Sequence, residues 1–85
     1  MELRHIRYFL AVAEEMNFTR AAERLHIAQP PLSRQIQELE TELDAKLFIR
    51  KPHALQLTEE GVLFRQYAQQ ILELVKKSSE DIREM

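Results

Sequence analysis

Ala28-Gln29-Pro30-Pro31-Leu32-Ser33-Arg34-Gln35-Ile36-Gln37-Glu38-Leu39-Glu40-Thr41-Glu42-Leu43 is the stretch on which the fold of this chain turns. Two successive prolines suit the first turn of a helix, where backbone N–H groups have no intrahelical acceptor. The segment therefore predicts a helix from about Pro30 to Leu43. At about 100° per residue, Leu32, Ile36, Leu39 and Leu43 fall within roughly 60° of one another, a stripe suited to a core. Pro30, Arg34 and Gln37 point to the opposite side, with Ser33 near the edge. That side is short, polar and almost free of acid until Glu38. Ala28 is a poor N-cap for this start; a serine there would add roughly 1 kcal/mol.

Upstream, His26 to Gln29 form a short connection. Before it, Thr19 is expected to cap a short helix whose inner face is Ala21, Ala22 and Leu25. Two adjacent alanines let a neighbouring helix come close. A first helix is signalled by Leu3, Ile6, Leu10 and Ala13, with Phe9 alongside, and Asn17 marks its break. Two short helices joined tightly, the second with an apolar back and a polar front, describe a helix-turn-helix whose second helix suits the major groove. Arg34 can bond guanine O6 and N7 in a pair, Gln29 and Gln37 can pair with adenine, and Ser33 can serve either. Pro30 and Pro31 offer apolar contact to a thymine methyl. A solvated polar face on an ordinary three-helix bundle accounts for the same pattern without DNA.

Downstream, Lys46 to Lys51 and Leu55 to Leu57 read as two short strands. Leu47, Ile49, Leu55 and Leu57 alternate, and Pro52-His53-Ala54 connect the pair. Arg50, Lys51 and His53 near the tip make a basic ribbon that could lie over a groove, although such a charge run can equally be plain solvated surface. Thr58 then caps a last helix, with Glu59 and Glu60 placed well against its N-terminal dipole. Its stripe is Phe64, Ala68, Ile71, Val75, Ser78, Ile82 and Met85, widened by Leu63, Tyr67 and Leu74. At 1.5 Å per residue the helix reaches about 40 Å, more than so small a domain can cover. A second copy of the chain is the simplest cover for the excess.

Composition narrows the classes of function. Eighty-five residues make one small domain, which buries only about 60% of its unfolded surface, so help from a partner fits. With 45% apolar and 31% charged residues the chain is that of a folded protein. There is no cysteine, hence no disulfide framework and no thiolate zinc site, in keeping with a reducing cytoplasm. Apolar runs are far too short for a membrane span, and no signal peptide is visible. The net charge of −2 argues against nucleic acid, but residues 46–57 carry Lys46, Arg50 and Lys51 without any acid. Phosphate attraction is local, since the Debye length is about 8 Å at physiological salt. Catalysis finds little support. Gly61 is the only glycine, so no phosphate-cradling loop exists. His5, His26 and His53 lie on separate elements, so no metal site is expected, nor any cofactor. Glu14-Glu15 and Glu59-Glu60 are adjacent in helices and diverge by about 100°, which makes them solvated ends and not proton-sharing dyads.

Several runs resemble the LysR-type transcription regulators. They are Met1-Glu2-Leu3-Arg4-His5-Ile6-Arg7-Tyr8-Phe9, Phe18-Thr19-Arg20-Ala21-Ala22-Glu23-Arg24-Leu25, and Ala28-Gln29-Pro30-Pro31-Leu32-Ser33-Arg34-Gln35-Ile36. Leu39-Glu40 with Glu42-Leu43, Leu47-Phe48-Ile49-Arg50 and Leu57-Thr58-Glu59-Glu60-Gly61 extend the likeness over nearly the whole chain. The opening residues and the Gln-Pro-Pro-Leu-Ser-Arg-Gln run most resemble members that control aromatic-compound degradation. The resemblance implies a mainly α winged helix-turn-helix, three helices plus a two-stranded wing, over residues 1–57. It implies a linker and dimerisation helix over residues 58–85. Gln29, Pro30, Pro31, Ser33 and Arg34 match positions that reach base edges. Thr19, Arg20, Gln37, Arg50, Lys51 and His53 fall where backbone or wing contacts are expected. Phe64, Tyr67, Ala68, Ile71, Leu74, Val75 and Ile82 would form a homodimer interface, with a tetramer open to the full-length protein. Family members continue into an effector-binding domain, so the chain is expected to be part of a longer, nucleoid-associated regulator that meets its effector only through that domain. Two departures stand out. The family usually has Gly where this chain has Asp44, a residue that tolerates a left-handed conformation at some cost. An Arg is frequent at the wing tip, where this chain has Lys51-Pro52-His53.

The expected function is sequence-specific binding of double-stranded DNA by a dimer on a two-fold symmetric site. The rival is a helical protein-interaction module in which the Leu63 to Met85 stripe binds another protein and the polar helix face is inert.

Overall fold

The apolar stripe of the third helix is the centre of the molecule. In the computed structural model, which describes residues 1–85, Leu32, Ile36 and Leu39 are 0%, 1% and 0% exposed. Around that stripe the chain runs α1 (Leu3–Glu15), α2 (Phe18–Leu25), α3 (Gln29–Leu43), β1 (Phe48–Lys51), β2 (Ala54–Leu57) and α4 (Glu59–Arg83). The first three helices pack on one another and α4 returns along α1. The result is a helix-turn-helix with a two-stranded antiparallel wing and a long final helix, as the sequence predicts. Ile6, Phe9, Leu10 and Val12 of α1, with Ala21 and Ala22 of α2, close the core, and the two alanines are the point where α2 sits flush on its neighbours. Phe9 is the hub of the aromatic contacts, 5.4 Å from the Phe48 ring and 4.9 Å from that of Phe64.

The three short helices all stop in the same way. Met16, His26 and Asp44 adopt left-handed conformations, with φ of 50°, 58° and 52°, and each backbone N–H returns to a carbonyl of the last turn. None of them is glycine, the residue that reaches this region without a steric penalty. Asp44 thus closes α3 in the conformation that glycine reaches most easily.

Four local expectations need correction. The cap of α2 is Asn17, whose Oδ1 accepts from the Arg20 N–H at 2.8 Å; Thr19 lies inside the helix. The first strand is out of phase with the alternation expected, because it begins only at Phe48. Leu47 lies before the strand and is buried, Phe48 is 6% exposed, and Ile49 is 41% exposed. A shift of one residue moves every side chain to the other face. Register pairs Phe48 with Leu57 and Arg50 with Leu55, so Arg50 lies on the inward face of the ribbon. The hairpin connection is Pro52-His53 alone, since Ala54 pairs with Lys51. Finally, Glu14 and Glu15 are not merely solvated: both carboxylates meet the Arg24 guanidinium, at 2.7 and 3.3 Å. Hydrogen bonds from Arg24 to Glu14 and then Glu15 raise its pKa above the ordinary value.

Two residues fix the wing to the helices. Buried Glu40 accepts from the Leu47 N–H at 2.7 Å and lies 3.4 Å from the Phe48 nitrogen, which satisfies the backbone where the chain turns into β1. Gly61, in the first turn of α4, passes so close to the chain entering β1 that a Cβ there would collide with the Leu47 carbonyl oxygen. Thr58 caps α4 as expected, its Oγ1 accepting from the Gly61 N–H at 2.9 Å.

Candidate nucleic-acid interface

With the back of α3 buried, its front must face outward. Pro30, Arg34 and Gln37 are exposed, while Gln29, Pro31 and Ser33 are half-buried along the edge. Arg34 takes part in none of the chain's ion pairs, although Arg4 and Arg24 are held by carboxylates. An exposed guanidinium without an internal partner keeps its full fork of donors for an external acceptor. The helix start has no side-chain cap at Ala28, which leaves the first turn of α3 open toward solvent.

The wing meets this front through one arginine. Because Arg50 faces inward, its Cζ lies 4.0 Å from the centroid of the Phe18 ring, a cation–π contact. Its Nη2 donates to the Ser33 hydroxyl oxygen at 3.3 Å. The Gln29 amide also donates to that oxygen, at 2.7 Å. Thr19, Arg50, Lys51 and His53 line one shallow cleft between the start of α2 and the hairpin. Gln37 and Arg50 line the next cleft, together with Phe18 and Lys46. Arg20 is exposed on α2 but lines neither cleft. Lys51 and His53 are exposed at the tip, where His53 takes the left-handed conformation (φ 65°) that a two-residue turn demands. Most of the polar residues expected to touch DNA thus share one continuous surface.

The residues expected at a partner interface divide. Ala68 is fully buried in the chain's own core, so it offers no surface to a second copy; α1 has already taken that position. Phe64 and Ile71 pack partly against the same core. Val75 is half-buried, lining a groove with Arg7 and Leu10 of α1. Tyr67, Leu74 and Ile82 remain 56%, 66% and 69% exposed, as does the flanking Leu63 at 53%. Sequence reasoning missed Phe18, the platform under Arg50, and Glu40, the anchor of β1. An acid among polar neighbours and an aromatic at a helix start carry no distinctive signal on their own.

Residues 3–62 match the family described as bacterial regulatory helix-turn-helix protein, lysR family. The chain belongs to the LysR family. Among its relatives, the transcriptional regulator BenM of Acinetobacter baylyi is 58% identical over 72 residues, covering 85% of this chain and 24% of BenM. The regulator TfdT of Cupriavidus pinatubonensis is 52% identical over 79 residues, 93% of this chain and 35% of TfdT. This LysR-family chain therefore spans about a quarter to a third of the length of those regulators. Among solved structures, the BenM DNA-binding domain in complex with catB site 1 DNA superposes with a TM-score of 0.95 at 51% identity, covering 99% of this chain and 94% of that one. The CbnR DNA-binding domain in complex with DNA gives 0.94 at 44% identity, with 98% and 95% covered. The winged-helix architecture of this LysR-family chain is that of those domains. No helix in it is long and apolar enough to cross a membrane.

Proposed function

We propose that this chain is the part of a bacterial LysR-type transcription regulator that binds double-stranded DNA in a sequence-specific way, as a homodimer on a dyad-symmetric site. The observation that carries the reading is Arg34: exposed and unpaired, on the polar side of a helix whose other side is locked in the core. That geometry suits direct readout of a guanine edge in the major groove. Gln29, Pro30, Pro31 and Ser33 flank it as further base contacts, while Thr19, Arg20, Gln37, Lys51 and His53 serve phosphates and hold the register. Residues 1–57 act as the DNA-facing unit. Residues 58–85 act as the linker whose bare side, led by Tyr67, Leu74 and Ile82, pairs with its counterpart. That pairing sets two α3 helices about 34–36 Å apart, one DNA turn. The similarity to BenM and CbnR domains seen with DNA supports this over the protein-interaction alternative. The longer regulator senses a small molecule through a further domain, works in the cytoplasm on the nucleoid and is not an enzyme. Selection of binders from a pool of random duplexes tests the proposal. Enrichment of an inverted repeat supports it, and a pool that stays random overturns it.

A further inference from the structure

We infer that Ser33 acts on DNA only as a hydrogen-bond donor, and that Arg50 and Gln29 impose this by occupying its oxygen. A serine hydroxyl has one proton and two lone pairs, and left alone it donates or accepts as its neighbour requires. Here the Gln29 amide donates to the Ser33 oxygen at 2.7 Å and the Arg50 Nη2 donates at 3.3 Å. Both lone pairs are engaged, and the two donors come from different elements, one turn back on α3 and across on β1. The proton is then the only capacity left, and it turns away from both donors toward the open side of the half-buried residue.

Arg50 is placed for this task, while its exposed guanidinium keeps further N–H donors for a phosphate. The register of β1 puts it on the same face as Phe48, its Cζ lies 4.0 Å from the centroid of the Phe18 ring, and its Nη2 reaches Ser33. Arg50 is thus a positioning residue that acts through Ser33. The partner it selects is an acceptor atom of the DNA: purine N7, guanine O6 or thymine O4 at a base edge, or a phosphate oxygen. The amino groups of cytosine and adenine are rejected, because a donor facing a donor leaves both unsatisfied. This inference rests on the DNA-binding reading above.

An acceptor scan on a selected duplex tests it. Single 7-deazapurines, thymine analogues lacking O4 and methylphosphonates are placed one at a time through a half-site, and affinity is measured for the wild type, Ser33→Ala and Arg50→Lys, with circular dichroism confirming the fold of each. The wild type is expected to lose about three- to tenfold at one position, as for a single hydrogen bond. Ser33→Ala should bind with that penalty already incurred and be indifferent to the same substitution. Arg50→Lys keeps the charge but not the flat, stacked donor, so its salt dependence should be unchanged while its sensitivity at that one position shrinks. A base-analogue position identifies an edge contact, and a methylphosphonate position identifies a phosphate. Ser33→Ala retaining the full wild-type profile, or Arg50→Lys retaining it, overturns the inference while leaving DNA binding intact. A wild-type chain that discriminates among no duplexes overturns the functional reading, and this inference with it.

Discussion

α3 and α4 each carry an apolar stripe along one side, yet the chain covers the two unequally. On α3, Leu32, Ile36 and Leu39 are sealed at 0% to 1% exposure, and only the polar side with Arg34 meets solvent. On α4 only Ala68 is sealed, Phe64 and Ile71 pack partly against the core, and Tyr67, Leu74 and Ile82 stay bare at 56%, 66% and 69%. The difference lies in what packs against them. α3 is central, with α1 and α2 on its flanks, whereas α4 has only α1 and the wing beside it. The molecule is correspondingly long, 51 Å against 27 and 19 Å. The two exposed surfaces ask for different partners, an anionic and hydrogen-bonding one for α3 and an apolar one for α4.

Substitutions can break or sharpen this contrast. The largest effect is expected where α3 is sealed: Leu32→Ala should cost about 2–5 kcal/mol of folding stability, read from the denaturation midpoint. Next comes the bare half of α4. Leu74→Asp lies outside the chain's own core, so each subunit should stay folded while sedimentation shows monomers. Affinity for a two-half-site duplex should fall on the order of 100-fold as the paired contact is lost. A dimer that persists would place the pairing surface elsewhere. On the open side of α3, Arg34→Ala should weaken binding by about 1–3 kcal/mol and relax preference at one position per half-site, with folding unchanged. Equal loss on all sequences would make Arg34 a phosphate contact instead. The smallest effect is at the end of α3, where Asp44→Gly should stabilise the fold by about 0.5–1 kcal/mol, since relief of left-handed strain outweighs the added freedom of the unfolded chain. An unchanged midpoint would show that Asp44 is unstrained.

Much of this contrast was legible in the residues because helical periodicity is a local signal. Leu32, Ile36 and Leu39 declared the sealed side of α3, and the same spacing declared a stripe on α4 too long for its domain. Periodicity does not say who covers a stripe. Spacing alone therefore puts Ala68 on the partner's side, although it is fully buried in the chain's own core. The phase of β1 was missed for a related reason: Leu47 and Ile49 alternate in the sequence, but Glu40 and Gly61 draw the chain inward before the strand begins, and both act from a distance along the chain. The error mattered at the site. With the phase corrected, Arg50 is a wing cation that also lies over the Phe18 ring and bonds Ser33.

The central claim is that the polar side of α3 is the surface that meets DNA. Titrating a selected duplex into the isotope-labelled chain, with backbone amide signals followed by nuclear magnetic resonance, addresses it most directly. Perturbations should concentrate on Gln29 to Gln37, the start of α2 and the Arg50 to His53 tip. Perturbations confined to Leu63 through Ile82, with α3 silent, would contradict it.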